Sequence, residues 1–341
     1  MKVAVVNRNR EVMLEEAPKP TIPQGGALIR VKGCGVCGSD VEKWQDRPIR
    51  KALVLGHEVV GVVEELSSEA LHLYPSLHEG QRVAVAHHAS CMACYYCQHE
   101  SPTMCEQFKT SNLDPGGFSQ WLAVSAAHLA HTVHPIVDHV SDEAASCVEP
   151  LACCLRAVDR LPRHASSALV VGLGFIGQLT AQIMSRRGIG VVGTDLQPDR
   201  IELARDHRWI LDGHADADQA ETAVKAITEG RGADVVFLTV VNAATLKLAL
   251  AAVRDGGTLL VFSASKSAKA LIDPNPFYFR ELSLITSYSP SMAHLRQAAS
   301  WINQGLVDVT PLMTHRYDLS LIEEGLECYK SGKAIKVYIT L

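Results

Sequence analysis

Three glycines set the strongest constraint on this chain. Gly172-Leu173-Gly174-Phe175-Ile176-Gly177 follows the apolar run Leu169-Val170-Val171 without a gap. Ile176, Leu179 and Ile183 then recur at helical spacing, and Arg186-Arg187 with Gly188 closes that helix. The next strand, Val191 to Thr194, ends in Asp195. A glycine triplet alone says little. Set between a strand and a helix, with an acid about 20 residues on, it specifies a βαβ unit shaped for a dinucleotide. Gly172 permits the tight turn, Gly174 lets backbone approach a pyrophosphate, and Gly177 lets helix and strand pack closely. Free N–H groups and the positive dipole end of the helix, beginning at Phe175 and Ile176, face the phosphates. Asp195 accepts both ribose hydroxyls and repels a 2′-phosphate, which favours NAD over NADP; Arg200 assists at the adenosine end or is a solvated helix residue.

The pattern continues through Asp234 to Leu238, a helix from about Ala243 to Val253, and a strand Thr258 to Ser263 after the Asp255-Gly256-Gly257 turn. Leu282 to Ser287 is the last expected strand of this sheet. Two helices, His294 to Asn303 and Ser320 to Lys330, and a strand Ile335 to Leu341 close the chain.

The N-terminal stretch, Lys2 to about Val124, is different. Short β-rich runs alternate with turns, among them Ala27 to Val31, Val59 to Val63 and Arg82 to Ala86. They predict a partly closed antiparallel barrel. Ser67 to Glu79 shows no period and reads as a surface loop.

Two constellations there carry chemistry. Cys91, Cys94, Cys97 and Cys105 form a C-x2-C-x2-C-x7-C run that can wrap one tetrahedral zinc, and four thiolates leave no position for substrate. A nucleic-acid zinc ribbon would want basic and aromatic company, which Ala89-Ser90 and Gln98-His99-Glu100 do not supply. The second is Gly33-Cys34-Gly35-Val36-Cys37-Gly38-Ser39-Asp40 with Gly56-His57-Glu58. Thiolate, imidazole and carboxylate suit a zinc that keeps one position open. A redox dithiol at Cys34 and Cys37 would expect a thioredoxin-like context, absent around them. Cys37 is the preferred thiolate, because Ser39 and Asp40 stand beside it.

The net charge of −5 gives no reason to expect nucleic acid or an acidic membrane as partner. No apolar run is long enough to span a bilayer, and the first residues lack a signal-peptide pattern. The ten cysteines therefore point to metal and free thiols in the cytoplasm. A length of 341 residues suits two domains.

Taken in order, Cys37-Gly38-Ser39-Asp40, Gly56-His57-Glu58, the four-cysteine lobe, Gly116-Gly117-Phe118, Val148-Glu149-Pro150-Leu151, the glycine triplet and Gly256-Gly257 resemble the zinc-dependent medium-chain dehydrogenases. The sorbitol and threonine dehydrogenase-like branch is the nearest in pattern. The resemblance implies an α/β fold: a Rossmann doubly wound parallel sheet inserted into a GroES-like, β-barrel-type catalytic domain. Residues 1–150 and 289–341 would form the catalytic domain, with a structural zinc lobe at 88–108, and 151–288 the NAD-binding domain.

The same resemblance implies a catalytic zinc on Cys37 and His57 with a carboxylate, Glu58 directly or Glu149. Asp40 would fix the His57 tautomer. Ser39 would take the hydroxyl proton while hydride passes to NAD. The family often has histidine at the end of its proton relay where this chain has Glu42. The arginine that sorbitol dehydrogenases carry has no match at Ser287-Tyr288-Ser289-Pro290. Trp44, Phe118 and Tyr288 are pocket walls by analogy or ordinary packing. Substrates left open are polyols, sugars, cyclitols, amino-polyols and threonine-like amino alcohols. A homo-oligomer is implied, a tetramer before a dimer. A metal-free reductase conflicts with Cys37, His57 and Glu149, and a non-enzymatic nucleotide-binding protein would have lost such ligands.

Overall fold

Along Ala27–Gly35 only Arg30 and Lys32 are exposed, so this strand lies in a sheet buried over most of its length. A computed structural model describes residues 1–264 and 273–341. In it Ala27–Gly35 runs antiparallel to Glu58–Leu66, which runs antiparallel to Arg82–Ala86. The full order of this mostly antiparallel sheet is His315–Asp318, Val337–Thr340, Ala27–Gly35, Glu58–Leu66, Arg82–Ala86 and Val133–Pro135, with Trp121–Val124 also pairing Ala27–Gly35. The first two strands of that order are parallel to each other. A small second sheet joins Val12–Glu16, Lys2–Val6 and Leu53–Val54. Val31, Val59, Phe118, Leu122, Leu326 and Ile339 belong to one apolar core.

The register of this sheet gathers chemistry-bearing residues at one end. Gly35, Glu58 and Ala86 stand side by side across three neighbouring strands, and Tyr338 pairs with Gly35 on the other flank. Cys37, His57, His87 and Lys336 therefore leave the sheet at one end of adjacent strands.

These strands belong to a compact unit made of Met1–Ala152 and Pro290–Leu341; Cys153–Ser289 forms a second. In the second unit Ser167–Val171 is buried at every residue, as a central parallel strand requires. The parallel sheet runs Asp212–His214, Gly190–Thr194, Ser167–Val171, Ala233–Leu238, Val253–Val261, Ser283–Thr286. Numbered from its first strand this is 3-2-1-4-5-6, the Rossmann order. The helices Phe175–Arg186 and Ala243–Ala252 fall where the periodicity placed them, the second opened by a reciprocal Asn242–Thr245 cap.

One sequence expectation fails here. The stretch 67–79 is not wholly loop, since Ser68–Leu73 is helical. The Ser67 hydroxyl accepts from Ala70 N–H at 3.1 Å and Ala70 is fully buried, so a cap and one apolar anchor suffice for a helix too short to show a period.

Candidate metal and nucleotide sites

The short helix Gly38–Gln45 begins at Cys37, whose backbone N–H donates to Asp40 Oδ2 at 3.0 Å. Asp40 is fully buried. Its Oδ1 accepts from Gly56 N–H at 3.1 Å and lies 3.2 Å from His57 Nδ1. One carboxylate thus ties the cysteine turn to the histidine turn. With Nδ1 turned to the carboxylate, the other ring nitrogen is left to bind elsewhere. That Nε2 lies 3.4 Å from Ser39 Oγ. Burial alone would lower the His57 pKa, but the Asp40 charge and hydrogen bond override it and hold it well above its ordinary value. Asp40 moves the opposite way: burial pushes up, and His57 wins by pulling it down.

Cys37 Sγ, a His57 ring nitrogen and a Glu58 oxygen lie within 4.8 Å of one another. Thiolate, imidazole and carboxylate are a donor set that fits zinc. Glu58 is nearly fully buried, and Lys336 Nζ donates to its Oε1 at 2.6 Å. Burial by itself would lower the Lys336 pKa, and the Glu58 carboxylate reverses this. Gly35 is needed opposite, because a Cβ there would sit 2.0 Å from Glu58 Oε2.

The predicted residues divide. Cys37, His57 and Glu58 come together, with Ser39 and Asp40 beside them. Glu149, buried near the start of the helix Val148–Asp159, is not in the three-residue group. Cys34 is fully buried, its Sγ 3.5 Å from the Gly35 carbonyl, and belongs to the core. Glu42 accepts from Arg47 Nε at 3.0 Å on a partly exposed face. Trp44 and Phe118 are core residues, the Trp44 indole donating to Arg10 O at 2.7 Å. Tyr288 is exposed.

Two residues of this site escaped the sequence reading. Lys336 offered a signal, a lysine inside the apolar run Ile335 to Ile339. His87 was one of a histidine pair with no distinguishing company, yet its ring centroid is 4.6 Å from that of His57.

In the cysteine lobe, Cys91 and Cys105 sulfurs are 3.5 Å apart and those of Cys94 and Cys97 3.6 Å. All four lie within 4.8 Å of one another, a four-thiol set that fits a structural zinc. Backbone N–H groups of Ala93 and Cys94 pull the Cys91 thiol down to about 6, toward the thiolate a metal requires.

In the second unit, Gly172 takes a φ of +91° at the turn after Ser167–Val171. A Cβ on Gly177 would stand 1.9 Å from the Gly172 carbonyl oxygen, so only glycine lets this helix close on the strand. A Cβ on Gly174 would meet nothing nearer than Arg200 Nη1 at 3.7 Å, leaving open space before the N-terminus of Phe175–Arg186. Asp195 Oδ2 accepts from Leu173 N–H at 2.7 Å and lies 3.5 Å from Arg200 Nη1. Phe175 is buried and Ile176 partly so. An open glycine turn, a helix N-terminus behind it and an acid at the next strand's tip fit a dinucleotide.

Comparison with known proteins agrees with both halves. Residues 23–135 match the alcohol dehydrogenase GroES-like domain, and residues 176–304 match the zinc-binding dehydrogenase family. The chain belongs to the zinc-dependent medium-chain dehydrogenase family. It is a zinc-dependent alcohol oxidoreductase with a GroES-like domain and a Rossmann sheet. Among its relatives is an L-threonine 3-dehydrogenase of Rhizobium etli (strain CIAT 652), 29% identical, with 99% of this chain and 98% of that protein covered. A sorbitol dehydrogenase of Halalkalibacterium halodurans is 28% identical, with 96% and 95% covered. In fold it is similar to the alcohol dehydrogenase TADH from Thermus sp. ATN1, with a TM-score of 0.87, 23% identity, and 100% and 99% of the two chains covered.

Proposed function

We propose that this dehydrogenase oxidises a secondary alcohol of a polyol, sugar, cyclitol or amino-polyol with NAD. The observation that carries this reading is the Cys37, His57 and Glu58 group backed by Asp40. The Met1–Ala152 and Pro290–Leu341 unit would hold the substrate, and Cys153–Ser289 the cofactor.

Cys37, His57 and one carboxylate would hold the catalytic zinc, with Cys91, Cys94, Cys97 and Cys105 holding the structural one. Glu58 is favoured as that carboxylate because it lies with Cys37 and His57; Glu149 is the alternative. When bound, the metal supplies Lewis acidity toward the substrate oxygen. Ser39 Oγ, beside His57 Nε2, takes the hydroxyl proton. Asp40 keeps the His57 ring turned for this work, and Lys336 balances the charge of Glu58. Glu42 is paired with Arg47, which favours water over Glu42 as the next proton acceptor. Gly172, Gly174, Phe175, Ile176 and Gly177 cradle the pyrophosphate, Asp195 takes the ribose hydroxyls and favours NAD over NADP, and Arg200 assists at the adenosine end. The nicotinamide, when bound, supplies the hydride acceptor.

Threonine-type amino-alcohol oxidation is a second reading, favoured by the likeness to threonine dehydrogenases. A homo-oligomer, a tetramer before a dimer, and a cytoplasmic location rest on the family resemblance; no helix among the described residues is long and apolar enough to cross a membrane.

Metal analysis and turnover test the reading together. About two zinc ions per chain are expected, and one would overturn it. Cys37→Ser should abolish turnover and leave the Cys91 lobe loaded; full activity in that variant would refute the assignment. Polyols, cyclitols, amino-polyols and threonine, each offered with NAD and NADP, separate the substrate classes.

A further inference from the structure

His87 follows Ala86, the residue paired across the sheet with Glu58. Its ring is packed on two sides, by His57 at 4.6 Å between centroids and by His88 at 3.8 Å. The backbone is pinned as well. His87 O accepts from His128 Nε2 at 3.0 Å, and Ser125 Oγ donates to His128 Nδ1 at 2.8 Å, which fixes the tautomer that His128 needs. His88 turns away, donating from Nδ1 to Ser111 O at 2.6 Å.

Within this held frame, His87 is only 8% exposed and its Nδ1 is buried without a hydrogen-bond partner among the described residues. Buried polar atoms almost always have a partner. Phenylalanine or leucine would fill the same space against two rings with no polar atom to satisfy. A histidine here, one ring away from a residue of the metal group, calls for a polar partner that arrives with the substrate.

We propose that His87 is a specificity residue that hydrogen-bonds a second hydroxyl of the substrate, carried on the carbon next to the one oxidised. This rests on the dehydrogenase reading above and sharpens it: the site prefers vicinal diols within polyols or cyclitols to simple alcohols. A neutral imidazole offers one donor and one acceptor nitrogen, matching a hydroxyl group, which can be either. Ser39 and His57 deal with the reacting hydroxyl, and His87 reads its neighbour.

The test uses the zinc-loaded enzyme with NAD, in wild type, His87→Phe and His87→Gln. Each is assayed on a vicinal cyclohexanediol and on cyclohexanol, and diol binding is also measured directly by calorimetry. In His87→Phe the diol-to-alcohol ratio of kcat/KM should fall by about 10- to 100-fold, and diol binding should weaken by a similar factor. His87→Gln, which keeps a donor and an acceptor, should recover part of that ratio. Zinc content and melting temperature monitor the fold in each variant. Equal losses on both substrates, or no change in the ratio, would overturn the proposal. A wild type carrying two zincs that oxidises no alcohol would instead overturn the dehydrogenase reading itself.

Discussion

Lys336 Nζ lies 2.6 Å from Glu58 Oε1, and both side chains are almost wholly withdrawn from solvent. Such a pair stabilises little by itself, because both charges lose their hydration, but breaking it strands one of them. Lys336→Met should cost about 3–5 kcal/mol, read from urea unfolding. The double variant Glu58→Gln with Lys336→Met should regain most of that loss. Equal destabilisation in the single and double variants would show that Lys336 matters only for its packing.

Asp40 acts on the metal group through His57 Nδ1. Asp40→Asn keeps the shape while removing the charge and one acceptor oxygen. Zinc affinity at the Cys37 group should fall about 10- to 100-fold, measured by chelator competition, with the four-cysteine site unaffected.

Gly177 and Gly174 separate packing from ligand approach. Gly177→Ala drives a methyl group into the Gly172 carbonyl and should cost about 3 kcal/mol. Gly174→Ala meets open space, so the melting temperature should hold. NADH binding, followed by the fluorescence of its dihydronicotinamide, should nevertheless weaken at least about tenfold, because the methyl lies where the backbone must approach the phosphates.

Acid should loosen the first unit through His134. Burial first, and the charge of Arg296 second, pull this histidine from 6.5 down to about 4. The unfolded chain then takes the proton more readily than the folded one. Stability is complete above about pH 6.5 and falls as pH drops toward 4, by up to about 3 kcal/mol. In His134→Phe the urea midpoint should fall less steeply across that window; an unchanged slope would rule out this histidine as a cause.

The second unit was legible because its signals are local. Ser167–Val171, the glycines from Gly172 and the helix after them are consecutive, and period and turn chemistry agree. Cys37 and His57 were legible from short motifs, and the sheet register explains why those motifs meet. What stayed hidden depends on distant partners. Nothing near Glu42 marks it as paired with Arg47 rather than available for a relay, since both are ordinary helix-end charges. Trp44 looked as suited to a pocket as to a core until its indole was seen bonded to the Arg10 carbonyl. His87 could not be told from His88 beside it, because the difference lies in what each ring faces across the sheet.

Glu58 and Lys336 are 278 residues apart in the chain, and the whole Cys153–Ser289 unit is made between them. During synthesis the ribosome delivers the Cys37 and His57 segments early and the balancing ammonium only near the finish. Until then Glu58, the first residue of the strand Glu58–Leu66, lacks its Lys336 partner, and Ala27–Gly35 lacks its neighbour Val337–Thr340. The end of the sheet that carries Cys37 and His57 is therefore completed last. The Rossmann unit, whose contacts lie within its own stretch of chain, is free to mature while the first unit waits.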